Sequence, residues 1–139
     1  WDGFREHDAA GARRQTDRVA ELLLSVDLNE EAATLLEADA HDEPSAERLR
    51  RLAMARYRSG RLAAGMQASR AVLLKERDCI RSLHNMVLAS IMRGRLVHAS
   101  AWLRRALRAH PRDEGLRRLR FRLWAQWAAR RCGLGRRSV

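Results

Sequence analysis

The sequence predicts an all-α protein built from helix-turn-helix repeats, and three observations carry that prediction. Proline is confined to Pro44 and Pro111, β-branched residues are scarce, and Ala, Leu and Arg, all strong helix formers, dominate. Apolar residues recur at helical spacing. Short patterns also recur 34 residues apart, as stacked supersecondary units require. With 139 residues, 46% hydrophobic and 32% charged, the chain suits one domain with a real core and is not wholly disordered.

Taken in order, residues 1–12 form a lead-in that begins with Trp1 rather than Met, expected as the end of an upstream region. Residues 1–8 carry acids and no apolar segment, unlike a signal peptide. A first unit, about 13–45, opens with Thr16-x-x-Val19-Ala20-x-x-Leu23. It turns at Asp27-Leu28-Asn29-Glu30-Glu31-Ala32 and continues through Leu35 and Leu36. A second unit, about 46–79, places Leu49, Leu52, Ala53 and Arg56 on one helix. Gly60 then supplies a turn, and a helix over 61–75 carries Leu62, Met66, Ser69 and Leu73.

The third unit, about 80–113, repeats the second at an offset of 34: Leu83-x-x-Met86-Val87-Leu88-Ala89 follows Leu49-x-x-Leu52-Ala53-Met54-Ala55. Gly94-Arg95-Leu96 likewise follows Gly60-Arg61-Leu62, and Arg104-x-x-Leu107 follows Arg70-x-x-Leu73. Its second helix, 95–109, holds Leu96, Ala99, Leu103 and Leu107, and Pro111 closes it. Asp113 suits the N-cap of a last helix, 113–131. A repeat array needs covered ends. Leu116, Leu119, Leu123, Trp124 and Trp127 on one side of that helix are expected to cap the stack, with Phe121 off the stripe. Residues 132–139 read as a basic disordered tail.

The 80–113 unit resembles a tetratricopeptide repeat (TPR) at Leu83, Met86, Gly94, Ala99, Leu103, Ala106-Leu107 and Pro111. The 46–79 unit matches at Leu49, Leu52, Ala53, Gly60 and Leu73, and departs at Arg56, Ser69 and Arg77. In the first unit Asp27 stands where the family has Gly. The resemblance covers roughly 13–113 and implies a TPR-like α-solenoid of about three repeats plus a capping helix.

It also implies that the first helix of each unit lines a concave, partner-binding groove. The residues on those faces are Arg50, Arg51, Met54, Tyr57 and Arg58, then Arg81, His84, Asn85, Leu88 and Met92, continued by Arg118 and Arg122. Arg50 and Asn85 occupy slots similar to two of a carboxylate clamp found in some members. Met54 replaces the clamp's Asn, and Gly115 and Leu119 fall on its later basic slots. The expectation is a non-enzymatic, cytoplasmic scaffold that binds a protein or peptide, acidic or carboxylate-ended, since guanidinium groups grip carboxylates through paired hydrogen bonds.

Charge leaves a second reading open. Residues 1–45 carry −8 and 46–139 carry +19 of the net +11, so an Arg-rich face could contact nucleic acid or an acidic membrane. Lys75 is the sole lysine among 28 basic residues, which points instead to a preference for Arg codons. Nucleic acid ranks behind a protein partner, and membrane contact by the C-terminal helix ranks last. No cofactor or metal is expected. His7, His41, His84, His98 and His110 form no ligand pairs, Cys79 and Cys132 lack metal spacing, and no glycine-rich phosphate loop occurs.

Overall fold

The computed structural model describes residues 2–39 and 43–133. Among them are seven helices and no strand: α1 (Asp2–Ser25), α2 (Asn29–Ala38), α3 (Ala46–Arg58), α4 (Leu62–Lys75), α5 (Ile80–Met92), α6 (Leu96–Ala109) and α7 (Glu114–Arg131). The 33- and 34-residue phrasing of the sequence thus becomes three helix pairs and a last single helix. One boundary differs. The first helix begins at Asp2, not near residue 13, because the polar stretch before Arg13 continues the helix without an apolar stripe to announce it.

All three pairs turn in the same way. Asp27, Gly60 and Gly94 hold φ values of +61°, +80° and +70°, in the left-handed region. The amide of the next residue reaches back five positions in each case: Leu28 to the Leu23 carbonyl, Arg61 to Arg56 and Arg95 to Ser90, all at 2.9 Å. This is the Schellman pattern, which satisfies carbonyls stranded at a helix end. Asp is one of the few side-chain-bearing residues that tolerate this conformation. Asn29 secures the first turn by donating from Nδ2 to the Asp27 carbonyl at 3.1 Å.

The chain divides into two compact units, Trp1–Lys75 and Glu76–Val139. In the first, α1 packs on α2, α3 packs closely on α4, and α3 also contacts α2 and α1. Its buried apolar residues include Ala20, Leu24, Ala32, Ala33, Leu36, Leu49, Ala53, Val72 and Leu73. Ser45 caps α3 by accepting from the Arg48 amide at 3.2 Å. In the second unit α5 packs on α6, and α7 packs on both. Leu83, Met86, Val87, Ile91, Leu96, Ala99, Leu103, Ala106, Leu116, Leu119 and Leu123 form its buried layer. Asp113 caps α7 as predicted, accepting from the Leu116 amide at 2.8 Å. His110 and Arg105 bind the carbonyls of Asp78 and Arg77, which anchors the α6 end to the loop before α5.

The last helix corrects a second expectation. Its three leucines are buried, but Trp124 and Trp127 are 64% and 40% exposed, and Phe121 is 69% exposed. The leucines are buried beside α5 and α6, whereas Phe121 and Trp124 are mostly exposed and Trp127 is partly covered. Of the predicted tail, Cys132 and Gly133 close α7 with another left-handed glycine, and residues 134–139 lie outside the described residues.

Candidate functional site

The candidate site consists of the faces of the first helices, and each unit builds its own. In the Trp1–Lys75 unit the acids of α1 and the arginines of α3 meet. Arg51 pairs with Glu21, lies 2.8 Å from Glu47 Oε1 and approaches Asp17 Oδ1 at 3.8 Å. Arg48, a residue sequence reasoning passed over, is nearly buried between Asp17 and Asp39, with Nε 3.3 Å from Asp17 Oδ1. A cleft of about 730 Å³ results, lined by Arg14, Asp17, Arg18 and Glu21 of α1 and Glu47 and Arg51 of α3. It is polar and carries both signs of charge. The predicted basic surface is therefore neutralised here by acids some 30 residues upstream.

The remaining residues assigned to this face have mixed fates. Arg50 is half-buried on α3. Arg58 is exposed and donates to the Leu24 carbonyl at 3.2 Å. Met54 packs against a cluster of Leu24, Ala32, Ala33 and Ala55. Tyr57 points the other way, into the α3–α4 pair, where its hydroxyl lies 3.0 Å from Ser69 Oγ and its ring presses on Gly65. A Cβ at Gly65 would stand 2.6 Å from the ring. Burial pushes the Tyr57 phenol above its ordinary value, opposed in part by the Ser69 hydrogen bond and the Arg70 charge. Arg56 likewise turns to Glu37 on α2, at 3.0 Å, and to the Ala64 carbonyl on α4.

In the Glu76–Val139 unit the face is different in kind. Arg81 is exposed, His84, Asn85 and Leu88 are half-buried, and Met92 is 57% exposed, all on α5. On α7, Arg118 and Arg122 are exposed, with Glu114 3.8 Å from Arg118. Gly115 explains how α7 comes close to α5: a Cβ there would stand 3.3 Å from His84 Nε2 and 3.1 Å from Asp113 Oδ1. The glycine that interrupts the clamp pattern is thus the residue that lets the α7 start approach His84. An apolar strip of Leu88 and Met92 accompanies these arginines.

Among the described residues, no three His, Cys, Asp or Glu side chains gather in a way that could hold a metal ion. No helix of the described residues is long and apolar enough to cross a membrane.

The arrangement of helices is shared with known proteins. The chain superposes on the type III secretion chaperone SycD of Yersinia enterocolitica, in complex with a peptide of the translocator YopD. The TM-score is 0.67 at 15% identity, over 86% of this chain and 92% of that one. It matches PcrH in complex with the chaperone binding region of PopD equally well, with TM-score 0.67, 16% identity, and 86% and 91% of the two chains. The Yersinia enterocolitica translocator chaperone SycD alone gives 0.68 at 15% identity, over 86% and 83%. Identities this low define the fold, which is a TPR-like all-α helical repeat. No protein-family model and no curated protein sequence matches the chain.

Proposed function

We infer that the chain is a TPR-type binding scaffold of the chaperone kind, holding a segment of a client protein along its first-helix faces. The observation that carries this reading is the partly exposed strip of Asn85, Leu88 and Met92 beside Arg81, on the helix whose opposite side is buried in the core. Half-buried apolar residues framed by cations suit a peptide with apolar side chains and acidic flanks, through burial of side chains and charge-assisted hydrogen bonds. The fold similarity to SycD and PcrH, each bound to a translocator segment, supports the same use of this fold here. The zwitterionic cleft between α1 and α3 adds a place for a polar side chain of either sign.

The test is affinity capture from nuclease-treated lysate of the cells that make the protein, at near-physiological salt, where exposed charges are screened beyond about 8 Å. The wild type is compared with an Arg81→Glu, Leu88→Asp variant. A discrete client held by the wild type and lost in the variant is the predicted result. Retention that returns only when nucleic acid is added back would transfer the function to the basic surface.

A further inference from the structure

The solvent side of α7 joins three exposed aromatics to a row of arginines. Phe121, Trp124 and Trp127 follow at intervals of three, and Arg117, Arg120 and Arg131 fall on the same side of a helix with 3.6 residues per turn. Leu116, Leu119 and Leu123 form the adjoining stripe, roughly 100° round the helix by the same geometry, and are buried. We propose that this face docks on an anionic membrane surface, the aromatics entering the headgroup boundary and the arginines engaging lipid phosphates.

The repeat itself discriminates among occupants. Moving back 34 residues, Phe121 and Trp124 correspond to Val87 and Ser90 on α5, which are fully buried in the helical pair. Arg117 and Arg120 correspond to Leu83 and Met86, also fully buried. A seat for another helix therefore has apolar residues at the last two positions. Burying two guanidinium groups there would cost more than their pairing returns unless acids met them closely. A headgroup layer is wet and rich in phosphate, so arginines stay solvated while neighbouring aromatics are buried.

No turn occurs at the register position where the earlier pairs fold back; α7 closes five residues later, at Gly133. The position equivalent to Gly94 is Ala128, and α7 runs on to Arg131.

Charge completes the case. Residues 76–139 carry 16 basic and 4 acidic residues, a net +12, and after Glu114 the described part of α7 has no acid. That field repels a second copy presenting the same face and attracts anionic lipid, at a range set by salt. Single-stranded nucleic acid is the competing anion. The Phe121 and Trp124 rings, however, lean on each other at 5.9 Å and 35° rather than standing apart as stacking platforms. The aromatics expected to cap the stack thus raise membrane contact from the last-ranked expectation to the favoured one for this helix.

Co-sedimentation with vesicles of phosphatidylcholine mixed with phosphatidylglycerol, against vesicles of phosphatidylcholine alone, tests the proposal. The full chain should sediment with the mixed vesicles only, and a Phe121→Ser, Trp124→Ser variant should bind about tenfold less. Circular dichroism confirms that the variant stays folded, since both side chains are exposed. Arg117→Gln with Arg120→Gln should reduce the preference for the anionic lipid. Leu74→Ser, an exposed apolar position on α4, should bind as the wild type does. Absence of binding to the mixed vesicles overturns the proposal, as does full binding by the aromatic variant. So does a single-stranded oligonucleotide that binds this face in a chain that ignores vesicles.

Discussion

Tyr57 is the only tyrosine in the chain, and its placement shows how far a single side chain can depart from its assigned face. The resemblance to the TPR family put it with Arg50, Met54 and Arg58 on the partner-binding side. The structure turns it inward because Gly65, on the facing helix, leaves room for a ring there and Ser69 offers a partner to its hydroxyl. Burial favours the neutral phenol, so the folded protein holds its proton above the ordinary value near 10. The linkage has a definite sign. Below pH about 10 the contribution of Tyr57 to stability is fully present, and it is lost as pH rises through the folded-state value. An absorbance titration of tyrosinate, unambiguous with one tyrosine, should give a midpoint above that of the unfolded chain. Stability should fall over the same interval, and a Tyr57→Phe variant should lack that alkaline loss.

At the level of the helix pair, the two well-matched repeats fill the same space with different partitions of volume. Tyr57 and Gly65 in one correspond, 34 residues on, to Ile91 and Ala99, all but Tyr57 being buried. A large ring against no side chain is exchanged for a medium side chain against a methyl. Gly65→Ala alone should destabilise by about 1–3 kcal/mol, because the new Cβ meets the ring far inside contact distance. Joined with Tyr57→Ile, it should cost clearly less than the two single changes together, read as a non-additive term in denaturant unfolding.

Other features at this scale were legible directly. Gly60 and Gly94 mark two turns, Asp27 marks the third in the glycine's place, Asp113 caps α7, and α4 and α6 begin within one residue of prediction. They were legible because each depends on local chemistry: a left-handed residue, a capping oxygen, an apolar period. Three features were hidden for the complementary reason. The extension of α1 to Asp2 has no apolar period to reveal it. The pairing of Arg51 with Glu21 joins residues 30 apart in different units of the repeat. The exposure of Trp124 and Trp127 depends on which side of α7 has a neighbour, and hydrophobicity alone does not specify a side.

For the molecule as a whole, charge is the property that the structure re-sorts most. Residues 1–75 carry 13 acidic and 12 basic residues; Asp17 and Glu21 of α1, Glu37 of α2 and Asp39 just after it pair with Arg48, Arg51 and Arg56 of α3. Lys75 similarly meets Glu43 at 2.7 Å, and its ammonium holds that carboxyl below its ordinary value. Residues 76–139 carry all of the excess positive charge, +12 against −1 for residues 1–75. On the function proposed above, a client segment with acidic flanks would be directed to the α5 face, where Arg81 stands beside Leu88 and Met92.

Site-specific photo-crosslinking in the producing cells tests whether the α5 face holds a client, with p-benzoylphenylalanine replacing Leu88 in one variant and exposed Val97 on α6 in another. A discrete protein adduct is expected from position 88, undiminished by nuclease, and none from position 97. Equal labelling from both positions, or an adduct at 88 that vanishes with nuclease, would contradict it.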